Sequence, residues 1–359
     1  MLRFYKKICK SKSLFTFANM DSITQIILGA ACGEIVLGRK IGNKALLFGA
    51  IGGTIPDLDV FIGRLLYSNE IQVMAFHRGF MHSILFAILA CFLFGWITFT
   101  LYNSGKRKGT STLNEWTLLF FLSFITHIVL DSFTPYGTQL FTPFSNYRVA
   151  FNNISVVDPI YTLPFLICMI VVLFLKRTNQ NRMKWAKAGI YMSSFYLILT
   201  LGNKLYINTV FEKSYQKAGI VVDRFSAQPT IFNNFLWYAV AENKNEFLVT
   251  FYSLFDEKSI SDKILHIPKN HDLLDMKDND LKTLAWFSKN YYKLSVNEIS
   301  GTVKYTDLRY PMMNPNDKNS FLFNFTLFQK EDHWDILPFQ GSFPNKKVFK
   351  AFIQRLKGI

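Results

Sequence analysis

Between residues 23 and 210 the chain is a succession of apolar runs with polar clusters standing at their edges. The clusters are Pro56-Asp57-Leu58-Asp59, His77-Arg78-Gly79-Phe80-Met81-His82-Ser83, His127-Ile128-Val129-Leu130-Asp131 and Thr134-Pro135-Tyr136-Gly137. This placement constrains the fold more than any other feature. Ionisable side chains at membrane depth persist mainly when they pair, line a cavity or bind something. His and carboxylate together form the ligand set of Zn, Mn or Fe sites, so the pattern predicts a divalent metal ion, Zn or Mn first, held within a membrane protein.

Four runs read as membrane helices. Residues 83–102 are uncharged and long enough to cross about 30 Å of hydrocarbon. Residues 116–133 are interrupted only by His127 and Asp131, 160–175 carry no charge, and 188–206 contain only Lys204. Two earlier runs are weaker: 22–38 carries Glu34, and 45–56 is short and glycine-rich. We expect these two to form a hairpin, re-entrant or tilted pair, held against the other helices through Gly29, Gly33, Gly49, Gly52 and Gly53. Past residue 211 the pattern changes to short runs with turn signals. Strands are expected at 235–240, 247–255, 301–308 and 321–329, and helices at 278–289 and 347–357. The expected fold is an α-helical integral membrane domain of about 4–6 membrane segments followed by a small α+β soluble domain. The divisions are a basic extension over 1–19, a transmembrane metal-site domain over 20–210 and the soluble domain over 211–359. Residues 1–19 are either the basic flank of the first membrane segment or an upstream extension, with Met20 as the start.

Charge supports the same division. Residues 1–210 carry 20 Lys and Arg against 8 Asp and Glu, the remainder 20 against 17, for a net charge of +15. The basic excess lies in loops flanking apolar runs. That is a membrane-topology pattern, and it argues for membrane lipids rather than nucleic acid as partner. Lys106-Arg107-Lys108 and the basic stretch 176–187 fall on one side, which the positive-inside rule makes cytoplasmic. Asp57, Asp59, His77, His82, His127 and Asp131 then converge on the opposite face, and the soluble domain exits there too. Three of the four cysteines, Cys32, Cys91 and Cys168, lie in apolar runs and suggest no disulfide framework.

His127 and Asp131 are four apart, so on a helix they share one face and can share an ion. A packing hydrogen bond is the competing reading. His77 and His82, five apart, converge only if the helix begins after Gly79, near Phe80. Asp57 and Asp59 point to opposite sides of an extended segment but can meet in a turn after Pro56. Arg78 and Arg148 suit an anionic group such as phosphate, for which guanidinium offers a planar fork, or else lipid headgroups. Glu34 is either a helix–helix hydrogen-bonding group or a base near the site.

The order of Pro56-Asp57-Leu58-Asp59, then His77 to Ser83, then Thr126-His127 to Asp131 followed by Thr134 to Gly137 resembles the YdjM-like family of membrane-bound proteins with an inferred metal-dependent hydrolase activity. The likeness covers residues 20–175, extending towards 210. It implies metal-site roles for Asp57, Asp59, His77, His82, His127 and Asp131, and a bacterial inner-membrane location. The chain departs from the family in Gln25, where a histidine is frequent, in Val60, where one follows the Asp pair, and in Met81 for Thr. One ion held by His77, His82, His127 and a carboxylate remains consistent with these departures. The leading expectation is an integral-membrane hydrolase of phosphoester or lipid-like substrates, with Asp57 or Asp59 as catalytic base and Arg78 and Arg148 holding the anion. The alternative is a metal-binding or ion-translocating protein without enzyme activity. The apolar inner halves of 83–102 and 160–175 favour a one-sided pocket over a path through the membrane.

Overall fold

The computed structural model describes residues 13–297, 301–312, 314–315, 317–318, 320–330, 333–338 and 346–359, with side chains from residue 22 on. Residues 1–12 of the expected basic extension lie outside that set. The chain divides into two units.

The helical unit comprises Met20–Leu66 and Phe76–Leu201. Its helices are α1 (Ser13–Ile41), α2 (Asn43–Thr54), α3 (Asp59–Leu66), α5 (Ile84–Tyr102), α6 (Leu113–Ser132), α7 (Pro159–Phe174) and the first part of α8 (Asn181–Lys217). Each start follows from local chemistry. The Ser83 hydroxyl accepts the Phe86 amide and opens α5, while Thr112 and Glu115 form a reciprocal capping box for α6. Asp158 caps α7 with Pro159 in the first turn, where no amide hydrogen is needed. Among the described residues, three helices are long and apolar enough to cross a membrane: Ser22–Ile41, Ile84–Tyr102 and Leu113–Ser132. The pair Asn43–Thr54 and Pro56–Leu66, bent by 43°, makes a fourth if it is one span. Pro159–Phe174 is apolar but shorter. The 188–206 run does not stand alone. It lies inside the 37-residue α8, whose Ser193, Ser194, Thr200, Asn203 and Lys204 dilute its apolar character.

α1 and α2 pair closely, and their glycines Gly29, Gly33, Gly49 and Gly53 meet one another rather than the other helices, while Gly52 faces Ser123 of α6. A Cβ at Gly29 or Gly49 would overlap the other's carbonyl oxygen, so only glycine permits this spacing. Glu34, the charge that weakened α1 as a span, meets Arg182 in a buried bidentate pair, Nε–Oε1 2.9 Å and Nη2–Oε2 2.7 Å. It is a helix–helix contact. Leu37, Ala45, Ala87, Trp116, Phe120 and Phe124 anchor one core of the unit. Tyr161, Phe165 and Val172 of α7 pack into a second.

The C-terminal unit comprises Gly202–Ile359 and also Tyr67–Ala75. It holds two four-stranded antiparallel meanders. β1 (Arg224–Pro229), β2 (Leu236–Glu242), β3 (Glu246–Ser253) and β4 (Ile264–Pro268) form the first. β5 (Tyr292–Val296), β6 (Val303–Asp307), β7 (Asn324–Lys330) and β8 (His333–Pro338) form the second. Helix α9 (Asn279–Phe287) precedes β5, and α10 (Lys346–Leu356) follows β8. β2 is buried on both faces. Leu236, Tyr238 and Val240 enter one core, while Trp237, Ala239 and Ala241 pack with Ile207, Val210 and Phe211 near the end of α8. The hairpin turn between β2 and β3 forms because the Asn243 carboxamide oxygen accepts the amides of Asn245 and Glu246.

Helix α4 (Glu70–Phe76) lies in the segment assigned mainly to this unit. Asn69 donates to the Trp334 carbonyl, and Gln72 donates to Asp280 at 2.7 Å. Neither α3 nor α4 was expected from the sequence. α2 ends at Thr54, just ahead of Pro56, which opens a 3-10 turn (Pro56–Leu58), a position where proline is tolerated, and α3 follows directly.

Candidate metal centre

Four side chains from three places in the helical unit converge: Asp57 from the turn after α2, His82 from the turn before α5, and His127 and Asp131 from the end of α6. One ligand atom from each lies within 4.8 Å of all the others. The His82 and His127 Nε2 atoms are 3.2 Å apart. Asp57 Oδ1 lies 3.3 Å from the first and 3.5 Å from the second. Asp131 Oδ2 lies at the same two distances, 3.3 and 3.5 Å. Both imidazoles and Asp131 are buried, while the Asp57 side chain is 23% exposed.

The other nitrogen of each ring is already committed. His127 Nδ1 lies 2.7 Å from the Gly53 carbonyl oxygen, which can only accept, so Nδ1 carries the hydrogen. His82 Nδ1 lies 3.0 Å from Asp59 Oδ2, at ion-pair distance though off-line for a hydrogen bond, and that charge favours a proton there as well. With both rings neutral, both Nε2 lone pairs face one another and two carboxylate oxygens. No donor stands between these four atoms, and a cation fits where they meet. Five edges of the group measure 3.2–3.5 Å, and a tetrahedron of that edge has corners about 2 Å from its centre, the length of zinc bonds to nitrogen and oxygen. Asp131 Oδ2 accepts no in-line hydrogen bond among the described residues, while its Oδ1 accepts the Gln25 amide at 2.8 Å. Asp57, Asp59 and Asp131 set against the single guanidinium of Arg78 leave two net negative charges, which a divalent ion neutralises.

His77 and Asp59 lie beside this group rather than in it. Asp59 Oδ1 is 2.8 Å from His77 Nδ1, and Oδ2 also accepts the Arg78 amide at 2.9 Å. One buried carboxylate thus orients two histidines, an arrangement that fixes ring orientation around metal sites. His77 stands on the incoming loop, as its spacing required, with Gly79 ahead of the Phe80–His82 turn.

The arginines are structural neighbours of the cluster. Arg78 Nε lies 3.2 Å from Asp131 Oδ2, and Nη1 donates to Thr134 Oγ1 at 2.8 Å. Arg148 donates to the His77 carbonyl at 2.8 Å and the Gly137 carbonyl at 3.2 Å. Tyr136 has both guanidiniums over its ring, at 5.1 and 5.4 Å from the centroid. Gly137 is in the left-handed region, φ +80°, and a Cβ there would crowd the Arg148 side chain.

Two contributors escaped the sequence reading. Gln25 was noted only as the absence of a histidine, yet its amide reaches Asp131. The Gly53 carbonyl is a backbone atom, and a sequence carries no signal for it beyond the glycine that lets α1 approach.

The family model described as YdjM inner membrane protein matches residues 20–208. The uncharacterized protein YfhP of Bacillus subtilis (strain 168) is 31% identical over 147 residues, 39% of this chain. The chain spans 42% of the length of that relative. No solved structure matches.

Proposed function

This chain belongs to the YdjM inner membrane protein family, and on that footing we propose that it is a metal-dependent hydrolase of the membrane, acting on a phosphoester or lipid-like substrate at one membrane face. The observation that carries the reading is the meeting of one potential ligand atom each from His82, His127, Asp57 and Asp131 within 4.8 Å of one another. This cluster would hold a divalent ion, zinc or manganese, which would supply polarisation of the scissile group and a bound water with its pKa lowered from about 15.7 to about 7.

The chain's own residues supply the rest. His82, His127 and Asp131 are buried and held by Asp59, Gly53 and Gln25, so they would hold the ion. Asp57, the one of the four with solvent access, would leave the fourth position to water and take up its proton. Asp59 is the poorer base, because both its oxygens are engaged by His77, His82 and the Arg78 amide. Arg78 and Arg148, drawn onto Asp131 and two carbonyls, keep one side of the site positive enough to favour an anionic substrate. Ion translocation would need polar groups continuing along the helices. The buried positions of α5 from Ala87 to Gly95 and of α7 from Phe165 to Val172 are apolar instead, which favours a one-sided site.

We place the protein in the bacterial inner membrane as a multi-pass protein with membrane lipids around it. The basic loops at Lys106–Lys108 and 176–187 would be cytoplasmic and the soluble unit outside. Asn245→Cys and Lys108→Cys, labelled from opposite faces, check that topology. Labelling of both from the same face contradicts it.

The activity is tested with protein in nanodiscs, loaded with zinc or manganese and offered phosphomonoester, phosphodiester and phospholipid substrates. Turnover should vanish on chelation and fall about 10²–10⁴-fold in Asp57→Asn, the usual contribution of a general base. Metal-loaded protein that hydrolyses none of these, or turnover that survives chelation, overturns the reading.

A further inference from the structure

The connection between α6 and α7 carries no charged residue from Thr134 to Tyr147, although it is a loop and would ordinarily be polar. It is closed at its base by a two-way backbone bridge, Thr138 N to Val149 O at 3.0 Å and Val149 N to Thr138 O at 2.9 Å. Beyond that bridge, residues 141–147 form a tip that displays its aromatic side chains. Phe141 is 50% exposed, Phe144 86% and Tyr147 60%. The tip is ordered by its own backbone, since the amides of Phe144 and Ser145 both donate to the Phe141 carbonyl. Side chains of this size are rarely left outward on a well-anchored turn in water.

The surroundings say what covers it. The Leu140 carbonyl accepts the amide of Ile84, the first residue of α5, at 3.0 Å. From that point Ile84, Ile88 and Phe92 follow at four-residue spacing along the helix, so they form one strip, and each is more than a third exposed. α5 is uncharged and long enough to span a bilayer, and a span there would turn this exposed strip towards acyl chains. The aromatic tip continues that apolar surface at the level where the helix ends. Aromatic side chains concentrate at that level, where the bilayer passes from headgroup to hydrocarbon.

We propose that residues 141–147 are an interfacial anchor whose partner is the bilayer itself, with Phe141 and Phe144 seated at the headgroup–acyl boundary. The same loop holds the ligand-bearing turn, because Gln139 N donates to Arg78 O at 3.0 Å and Arg148 donates to His77 O at 2.8 Å. Seating the tip fixes the depth of that turn relative to the lipid headgroups. The anchor stands on exposure and continuity alone and does not depend on the site being a hydrolase.

The test is a nitroxide on Phe144→Cys in a Cys9→Ser background, since Cys32, Cys91 and Cys168 are buried. The protein is placed in phosphatidylcholine–phosphatidylglycerol nanodiscs, and collisions with oxygen and with a nickel chelate are compared. Phe92→Cys serves as the lipid reference and Lys108→Cys as the aqueous one. The expected result is a loss of nickel collisions relative to Lys108, with oxygen access retained and a depth shallower than Phe92. A probe that behaves like Lys108 would show the tip in water and overturn the proposal. So would a probe shielded from both reagents, which would mean that a second copy or another protein covers the tip. Should Phe144→Cys fail to incorporate, Phe141→Cys carries the same comparison.

Discussion

The two units bury polar side chains in different ways. In the C-terminal unit buried donors meet acceptors one to one: Arg309 pairs with Asp307 two residues back, with Nη2–Oδ2 at 2.6 Å, and the Ser288 hydroxyl meets that of Tyr305 at 2.7 Å across the start of one sheet. Asn233 ties up the amides of Phe235 and Leu236 just beyond it. Such groups satisfy the backbone and lock a turn. In the helical unit His82, Asp57 and the His127–Asp131 pair come from three separate elements and meet at one point. Two largely buried carboxylates within reach of one pair of imidazoles are costly to hold without a counter-charge, and the Arg78 guanidinium offsets only one of them. The contrast separates a polar core that serves the fold from one that serves a ligand.

The contrast breaks most sharply at His127. His127→Ala should abolish metal retention while the protein still inserts, since α6 is otherwise apolar from Trp116 to Leu130, apart from a few hydroxyl side chains. Intramembrane hydrogen bonds contribute only about 0.6 kcal/mol on average, so loss of one should leave folding intact. Metal analysis of detergent-purified variant and wild type, with size-exclusion as the fold check, reads the outcome. Retained metal would reduce His127 to a packing residue.

In the C-terminal unit the expectation reverses. Arg309→Met leaves Asp307 buried without its partner, which should cost about 3–5 kcal/mol of stability in that unit. Metal content should not change. Thermal unfolding alongside metal analysis separates the two effects, and loss of metal here would mean that the two cores are not independent.

A smaller effect is expected at Asp59, which orients His82 without belonging to the four-atom group. Asp59→Asn should weaken metal affinity about 10–100-fold, the usual cost of losing an outer carboxylate. Competition with a chromogenic chelator measures it. Complete loss would promote Asp59 to a direct ligand, as the family resemblance implied. Gln25→Leu should do least. One intramembrane hydrogen bond to Asp131 is removed, so the same titration should shift by about threefold.

How much of this could be read beforehand follows the same line. The apolar runs and the His and Asp clusters at their edges were legible, because burying ionisable groups among apolar residues is costly enough to mark the sequence. Close helix contact at Gly29 and Gly49 was legible for a related reason, since only glycine allows it. The division of labour between Asp57 and Asp59 was not. Two residues in one turn can face either way, and the direction depends on the bend after α2, which Pro56 begins. The short helix α4 was missed because its seven residues, Glu70–Phe76, are held by tertiary contacts to Trp334, Asp335 and Asp280 rather than by a periodic apolar face. The run at 188–206 was read as a separate span because apolarity shows where a membrane helix is feasible but not where a longer helix ends.

The most direct test of the central claim is the metal content of the wild-type protein, measured by inductively coupled plasma mass spectrometry after purification and again after stripping and reloading with zinc or manganese. The account predicts about one divalent ion per chain, lost on chelation, regained on reloading, and absent from His82→Ala. Folded wild-type protein that carries no metal and takes up none would contradict it, and would leave the His and Asp cluster as a buried network of imidazolium–carboxylate pairs.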